Sequence, residues 1–272
     1  MRVVKHDLPN FEEIEIIPVA DSHLGDPLSD ARRVKDLIQY VLAAENRYLI
    51  LNGDLMDAAI ASSVGDTYGA VLTPMEQLEL CVSIFGKAKD RILLVGPGNH
   101  ELRIYKQDGI DMTKLMCKEL GLLHVYTPVS GYIFLRFGAN VSTKHHNNPI
   151  LYRIYATHGG GSGRREGGKI NRLADLTRIC DADIYIHSHT HLPAIFMDSY
   201  HRPCSARSTV SSHNRLFVNT GANLEYGGYA ERQSFPPAAL ANPLITLSGR
   251  QEWMRGSIEA LVSGEETGRA KT

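Results

Sequence analysis

Short, nearly continuous apolar runs recur along the first two thirds of the chain, and polar residues follow each run at once. Runs of four to seven residues that are rich in Val, Ile, Leu and Tyr are typical of buried strands. The runs cover 14–20, 48–51, 92–95, 152–156 and 183–186. The pattern therefore predicts five buried β-strands, each with polar residues at its carboxyl end.

Apolar residues at helical spacing lie between the first of these strands. Residues 29–46 predict a crossover helix, because their apolar positions recur every three or four residues. A second predicted helix begins at Thr73, which can cap it in a capping box with Glu76. The intervening residues 58–72 predict a loop beside the strand ends, and a third helix is predicted over 111–120.

Strand signals become denser in the second half of the chain. Runs at 124–127, 132–137 and 152–156 lie close together and predict a second sheet that begins antiparallel. A further helix is predicted at 170–180, and three further strands are predicted at 194–198, 216–220 and 257–262. The predicted fold is therefore of the α/β class, with two mixed β-sheets face to face and helices outside them.

Length and composition are those of one large core. A chain of 272 residues suits a single α/β domain, which we expect over 1–263, with a disordered tail over 264–272. The formal net charge of −1 does not favour a polyanionic partner through the field of the whole molecule. No apolar stretch approaches the ~20 residues of a membrane span, and residues 1–10 lack the apolar part of a signal peptide. We expect no membrane partner and, from four scattered cysteines, a cytoplasmic protein.

Each of the five predicted buried strands is followed by a cluster of potential metal ligands. The clusters are Asp-Ser-His at 21–23, Gly-Asp-Leu-Met-Asp at 53–57, Gly-Asn-His-Glu at 98–101, Thr-His-Gly at 157–159 and His-Ser-His-Thr-His at 187–191. In an α/β sheet, chemistry collects where parallel strands end. Carboxylates, imidazoles and one amide oxygen in this number suit two first-row divalent ions better than one.

In this order the clusters resemble the motifs of the calcineurin-like metallophosphoesterase superfamily, especially its bacterial and bacteriophage-type members related to DNA-repair exonucleases. The motifs run from Asp21 to His191, about two thirds of the chain. One departure is Ser188, which replaces the glycine of the usual Gly-His-x-His and tolerates a positive φ less well. The resemblance implies a four-layer α/β/β/α sandwich and hydrolysis of a phosphoester by in-line attack of a metal-bridging hydroxide.

The resemblance also implies a ligand set for two divalent ions. The first ion would take Asp21, His23, Asp54 and His191, and the second would take Asp54, Asn99, His158 and His189. Asp54 is the bridging candidate, since it ends a strand after a glycine that permits a sharp turn. His189 and His191 are expected to point the same way on an extended segment, because side chains repeat there every second residue. Manganese is the favoured ion, with iron, zinc or nickel as alternatives.

Three polar residues beside these ligands receive other roles. His100 is the predicted catalytic residue, which stabilises the transition state or protonates the leaving alkoxide. Asp57 is predicted to orient and charge that imidazole, as in the family. Glu101 is expected to support the site or cap a helix rather than bind metal, and His187 is expected to pack beside the site.

A glycine-rich, basic segment follows His158 directly, over 159–169. It predicts a substrate-clamping lid, in which Arg164 and Arg165 bind phosphate oxygens through their guanidinium groups. The alternative is a solvated loop whose glycines only permit close passage. Arg103 is a further candidate for a phosphate contact.

The sequence leaves several functions open. Phosphoprotein phosphatases typically read Gly-Asp-x-x-Asp-Arg-Gly, whereas Ala58 and Ala59 follow Asp57 here. We therefore favour a phosphodiesterase, with a nucleotide or a nucleic acid such as DNA as the substrate. The alternatives are a phosphomonoesterase or phosphoprotein phosphatase, and a non-catalytic scaffold of the same fold.

Overall fold

The computed structural model describes residues 1–60, 63, 69–140, 148–161 and 163–259. The predicted tail over 264–272 and part of the predicted loop over 58–72 lie outside the described residues. The strands are β1 (Arg2–Asp7), β2 (Glu13–Val19), β3 (Arg47–Asn52), β4 (Ile92–Gly96), β5 (Ser130–Asn140), β6 (Asn148–Thr157), β7 (Ile184–His187), β8 (Ala194–Cys204), β9 (Thr209–Asn219), β10 (Asn242–Ser248) and β11 (Met254–Glu259). The helices are α1 (Ala31–Leu42), α2 (Pro74–Phe85), α3 (Glu101–Asp108), α4 (Met112–Leu120), α5 (Glu166–Asp175) and α6 (Gly228–Arg232), with 3₁₀ turns at Gly86–Arg91 and Leu176–Arg178.

The strands form two mixed sheets. One sheet has the order β1-β5-β6-β7-β9-β8, and the other has the order β11-β10-β2-β3-β4. Strands β2, β3 and β4 run parallel in the second sheet, as do β6, β7 and β9 in the first. The predicted α/β class is thereby confirmed: two mixed β-sheets flanked by helices.

The core explains why the five apolar runs are strands. Ile16, Leu49 and Ile50 are fully buried, and the apolar face of α1 contributes Val34 and Leu37 to the same core. These strands have apolar residues on both faces because neither face meets solvent. The polar residues that follow each parallel strand therefore lie at one edge of the sheets.

The predicted ends of α2 and α4 are observed, whereas α1 covers Ala31–Leu42 and is shorter than the predicted 29–46. The capping box of α2 is present: the Thr73 side chain accepts a hydrogen bond from the N–H of Glu76, and the Glu76 side chain accepts one from the N–H of Thr73. Asp111 caps α4, which ends at Gly121 with a φ of 74°. Asp30 caps α1 by accepting a hydrogen bond from the N–H of Arg33. Local sequence therefore determines where these helices begin.

Several elements differ from the prediction. The predicted strand at 124–127 is a turn with one bridge, between Val95 and Tyr126, and its apolar residues are buried against β4 rather than paired in a sheet. The predicted helix over 170–180 is wrong at both ends, since α5 begins at Glu166 and the chain tightens into a 3₁₀ turn after Asp175. Strands β1 and β10 and helix α3 were not predicted, and β11 begins three residues before the strand expected at 257–262. Among the described residues, no helix is both long and apolar enough to cross a membrane.

Candidate active site and metal centre

Backbone hydrogen bonds hold the ligand-bearing loops of both sheets together. The N–H of Asp21 donates to the carbonyl oxygen of Gly53 over 3.1 Å, and the N–H of His23 donates to that of Asp54 over 3.0 Å. Between the sheets, the N–H of His189 donates to Oδ2 of Asp21 over 3.1 Å. The clusters after β2, β3 and β7 are therefore one connected unit.

The backbone at the predicted ligands is strained. Five of them adopt positive φ angles: Asp21 (49°), His23 (44°), Asp54 (50°), His189 (69°) and His191 (54°). A left-handed conformation costs a residue other than glycine about 1–2 kcal/mol. Residues in such conformations persist where the surroundings fix them, and they cluster at functional sites.

The expected extended conformation of His189 and His191 is wrong. The N–H of Thr190 donates to the carbonyl oxygen of Ser188 over 2.7 Å. With the positive φ of His189, this bond forms a three-residue γ-turn of the strained type. Ser188 itself has no positive φ, so replacement of the usual glycine is accommodated and the strain falls on the histidines. Both histidines still reach the site.

The structure brings the seven predicted ligands together in two neighbouring groups. Asp21, His23 and His191 form one group, and Asp54, His158 and His189 form the other, with ligand atoms within 4.8 Å of one another in each. Asp54 also groups with His23 and His100, and so lies between the two. Nε2 of His158 lies 3.1 Å from Oδ2 of Asp54 and 3.2 Å from Oδ1 of Asn99, the seventh predicted ligand.

The donor atoms suit divalent metal ions. Oδ1 of Asp21 is buried and accepts no hydrogen bond within the described part of the chain, although Nε2 of His191 lies 3.2 Å away. Nε2 of His23 in turn lies 3.4 Å from Nε2 of His191. A buried carboxylate oxygen without a hydrogen bond, close to two imidazole nitrogens, is a donor set that a cation would satisfy. In His158, Nδ1 donates to the carbonyl oxygen of Asn52 over 2.8 Å, which leaves Nε2 for an ion.

Burial and mutual attraction determine the charges of these groups. Burial lowers the pKa of His158, but attraction to the Asp54 carboxylate and the hydrogen bond that His158 donates to it outweigh burial and raise that pKa to about 10. Against burial, the same pairing holds the pKa of Asp54 well below its usual value. Burial, followed by repulsion from His100, lowers the pKa of His23 well below normal. The Asp54 carboxylate is therefore ionised where the two groups meet.

His100 lies beside the ligands with partners on both ring nitrogens. Its Nδ1 lies 2.7 Å from the carbonyl oxygen of Asp57 and 3.2 Å from Oδ1 of the same residue. Nδ1 also lies 3.0 Å from Nη1 of Arg103 and 3.3 Å from Nδ1 of His23. The two oxygens of Asp57 are acceptors, so a proton on Nδ1 would satisfy them. Nε2 lies 2.8 Å from Nη2 of Arg103. Burial lowers the pKa of His100, but the hydrogen bond to Asp57 and attraction to Asp54 raise it above the usual value.

Glu101 has a larger structural role than its sequence position indicates. Its buried carboxylate accepts hydrogen bonds from the N–H groups of Gly98, Asp54, Leu55 and Met56, at 2.8, 3.1, 2.7 and 3.0 Å. It lies outside the three groups of potential ligands. As expected, it supports the site: it connects the loop after β3 to the loop after β4.

The predicted lid over 159–169 is wrong in its second half. Residues 166–169 form the first turn of α5, and Nζ of Lys169 donates to the carbonyl oxygen of Thr190 over 2.9 Å. Arg164 lies over the ring of Phe235 at 5.7 Å, and Arg165 is exposed just before α5. Arg103 is next to His100, whereas no contact places Arg164 or Arg165 on a ligand. Their phosphate contacts stay predictions.

Two buried asparagines at strand ends contact the site, and the sequence did not predict a role for them. Nδ2 of Asn52, the last residue of β3, donates to the carbonyl oxygen of Thr157 over 2.8 Å and to Oγ of Ser188 over 2.6 Å. Asn219, the last residue of β9, is fully buried and contacts His187. Their only sequence signal is a polar residue that ends an apolar strand. His187 packs beside the site, as expected.

Three solved structures that are similar to this chain have low sequence identity to it. A predicted phosphoesterase from Streptococcus pneumoniae TIGR4 is 14% identical, with 91% of this chain and 98% of that chain covered and a TM-score of 0.38. A metallophosphoesterase from Sphaerobacter thermophilus is 11% identical, with coverages of 86% and 84% and a TM-score of 0.37. GAP50, the anchor in the inner membrane complex of Plasmodium, is 10% identical, with coverages of 94% and 87% and a TM-score of 0.48.

The family assignment rests on a different comparison. No curated protein matches the chain significantly. The sequence profile of the calcineurin-like phosphoesterases matches residues 16–193, which contain all five ligand clusters. Because this match covers more than half of the 272 residues, the chain belongs to the calcineurin-like phosphoesterase family, whose members are metal-dependent phosphoric ester hydrolases.

Proposed function

We propose that this protein is a dinuclear phosphodiesterase that hydrolyses a phosphodiester in a nucleotide or a nucleic acid. The observation that carries the proposal is the convergence of Asp, His and Asn donors on both sides of Asp54. Asp21, His23 and His191 would hold one ion, Asn99, His158 and His189 would hold the other, and Asp54 would bridge them. Two bound divalent ions lower the pKa of a water molecule and neutralise charge on the phosphoryl oxygens. Manganese is the proposed ion, with iron, zinc or nickel as alternatives, since a mixed N/O donor set accepts any of them.

His100 is the proposed general acid. Its Nδ1 is engaged by Asp57, so Nε2 is the ring atom left for the substrate. A proton on Nε2 would pass to the leaving oxygen, and Asp57 would stabilise the charged ring. Arg103, whose guanidinium contacts Nε2, would bind a phosphoryl oxygen in its place and free that nitrogen.

The preference for a diester rests on the residues after Asp57. Ala58 is fully buried, has a φ of 48° and donates its N–H to Oε1 of Gln77 over 2.8 Å. At this position, where phosphoprotein phosphatases carry an arginine, the buried alanine offers no guanidinium to a doubly charged monoester. A diester carries one negative charge and needs less neutralisation. The cytoplasm is the proposed compartment, because Cys81 and Cys117 are free thiols inside buried helix faces.

The test compares two chromogenic esters in the presence of Mn²⁺. We expect bis-p-nitrophenyl phosphate to be hydrolysed at least about tenfold faster than p-nitrophenyl phosphate, a difference that corresponds to ~1.4 kcal/mol in activation free energy. His100→Ala should abolish most of this activity, whereas His201→Ala, at an exposed histidine of β8, should not change it. Activity as high in the His100 variant as in the wild-type protein would come from a contaminant.

The other candidate functions give different outcomes in the same assay. Hydrolysis of the monoester or of a phosphopeptide alone would identify a phosphatase. Cleavage of neither ester with Mn²⁺ bound would identify a scaffold. If the diester is cut, a panel of cyclic nucleotides, dinucleotides and single-stranded DNA would identify the natural substrate class.

A further inference from the structure

The segment that carries His189 and His191, two of the proposed ligands, has a strained backbone. His189 and His191 both have positive φ angles, with a γ-turn between them. The two left-handed residues cost about 1–2 kcal/mol each in an isolated chain. Without a bound ion, other contacts must therefore hold the turn in this conformation.

Asn219 supplies two of these contacts from the end of β9. Its Nδ2 donates to Oγ1 of Thr190 over 2.7 Å and to the carbonyl oxygen of Leu192 over 2.5 Å. Its Oδ1 accepts a hydrogen bond from Nδ1 of His187 over 2.9 Å. A backbone carbonyl can only accept, so the amide nitrogen must face the turn. The amide therefore contacts the chain on both sides of His191, and its orientation is determined.

Lys169 contacts the same residue, Thr190, from a different element. It lies in the first turn of α5, and its Nζ donates to the carbonyl oxygen of Thr190 over 2.9 Å. The side chain of Thr190 is thus bonded to Asn219 and its carbonyl oxygen to Lys169. A charge-assisted hydrogen bond is shorter and stronger than a neutral one, so the ammonium group fixes this carbonyl well.

We propose that Asn219 and Lys169 are positioning residues that hold His189 and His191 in the conformation that binds metal. This inference rests on the proposed function, because it takes both histidines to be ligands. Neither residue touches the reacting atoms. Each acts through Thr190, the residue between the two histidines, and removal of either leaves the ligand atoms present but less often aligned.

The experiment measures Mn²⁺ affinity by calorimetry in the full-length protein. Asn219→Leu should weaken the affinity by about 10–100-fold, the range observed when partners of metal ligands are lost. Asn242→Leu is the matched control, because Asn242 is equally buried and its Nδ2 makes no hydrogen bond within the described residues. Saturating Mn²⁺ should restore much of kcat in Asn219→Leu. If the variant had instead lost folded protein, added Mn²⁺ would not restore kcat.

Lys169 provides a second pair of variants, at a helix position that is only partly buried. Lys169→Met should weaken Mn²⁺ binding by about tenfold, within the range for such partners, and Lys169→Arg should restore it, because a guanidinium also donates to a carbonyl. Unchanged Mn²⁺ affinity in folded Asn219→Leu and Lys169→Met would overturn the inference, as would an equal loss in Asn242→Leu. Failure of the proposed function is distinguishable, since the wild-type protein itself would then bind no Mn²⁺ or, with Mn²⁺ bound, would cleave no diester.

Discussion

The two halves of the site are held by side chains with opposite hydrogen-bonding roles: an acceptor on one side and donors on the other. On the β2–β3–β4 side, one buried carboxylate, that of Glu101, accepts hydrogen bonds from four backbone N–H groups. On the β7–β9 side, the amide of Asn219 and the ammonium of Lys169 donate to oxygens of the turn at Thr190. Both arrangements fix strained residues.

The difference follows from which backbone groups each turn leaves unpaired. The loops after β3 and β4 direct N–H groups inward, and buried N–H groups need an acceptor. In the turn after β7, the N–H of Thr190 donates within the turn to Ser188. The carbonyl oxygens of Thr190 and Leu192 instead accept hydrogen bonds from side chains outside the turn. These oxygens need donors. A supporting residue can therefore be identified from the backbone group that it satisfies.

The largest expected effect is on the carboxylate side. Glu101→Ala should leave four buried N–H groups without their acceptor, and unsatisfied groups cost about 1–3 kcal/mol each. We expect a loss of at least ~4 kcal/mol in the free energy of unfolding, because some groups will recover a water molecule. Urea unfolding measures it, with Glu119→Ala on the exposed face of α4 as the control. A loss equal to or smaller than that of Asn219→Ala would contradict the comparison.

The next effect is on catalysis. His100→Ala should lower kcat by about 10²–10⁴-fold, the usual contribution of a general acid. The Mn²⁺ content should stay unchanged, because the predicted ligands do not include this ring. Steady-state kinetics and elemental analysis on one sample test both statements. Loss of Mn²⁺ in proportion to activity would mean that His100 acts as a ligand.

The pair of Asp54 and His158, which connects the two halves, predicts a pH dependence of stability. In the metal-free protein the pKa of His158 is raised to about 10, against ~6.5 for an unfolded histidine. The pairing therefore stabilises the fold fully below pH ~6.5, and this stability is lost as the pH rises through the folded pKa. We expect Tm in the presence of a chelator to fall from pH 7 to pH 9.5, and to fall less in His158→Gln. Equal slopes for both proteins would rule out this pairing.

The smallest effect is expected outside the site. Ser208 also has a positive φ, of 49°, but it lies in the exposed turn between β8 and β9. Ser208→Gly should change the free energy of unfolding by less than about 0.5 kcal/mol, because relief of strain offsets the extra entropy of glycine in the unfolded chain. Denaturant melts measure this. A large change would show that left-handed residues matter equally everywhere, contrary to the contrast drawn between site and surface.

The sequence predicts the strands and the ligand clusters well because both are local signals. Apolar runs such as 48–51 need no partner to be recognised, and Asp54 follows its strand directly. The strand predicted at 124–127 is wrong because buried Val125 and Tyr126 lie in a turn against β4, and apolar content alone does not separate the two cases. Helix α3 was missed because its first residue, Glu101, also belongs to a ligand cluster.

The supporting residues were beyond the reach of sequence patterns. Asn219 ends a strand 28 residues after His191, a distance that no spacing rule associates with the turn it holds. Lys169 was interpreted as part of a mobile lid, since the glycines before it obscure the start of α5. The conformation of His189 depends on these tertiary contacts, so local alternation gave the wrong geometry there.

The central claim is that Asp54 joins two ions in one site. Electron paramagnetic resonance of the Mn²⁺-loaded protein, with elemental analysis of the same sample, tests it most directly. We expect two Mn²⁺ ions per chain with the spectrum of an exchange-coupled pair, and loss of the coupling in Asp54→Asn. A single bound ion, or two ions without coupling in the wild-type protein, would contradict the account.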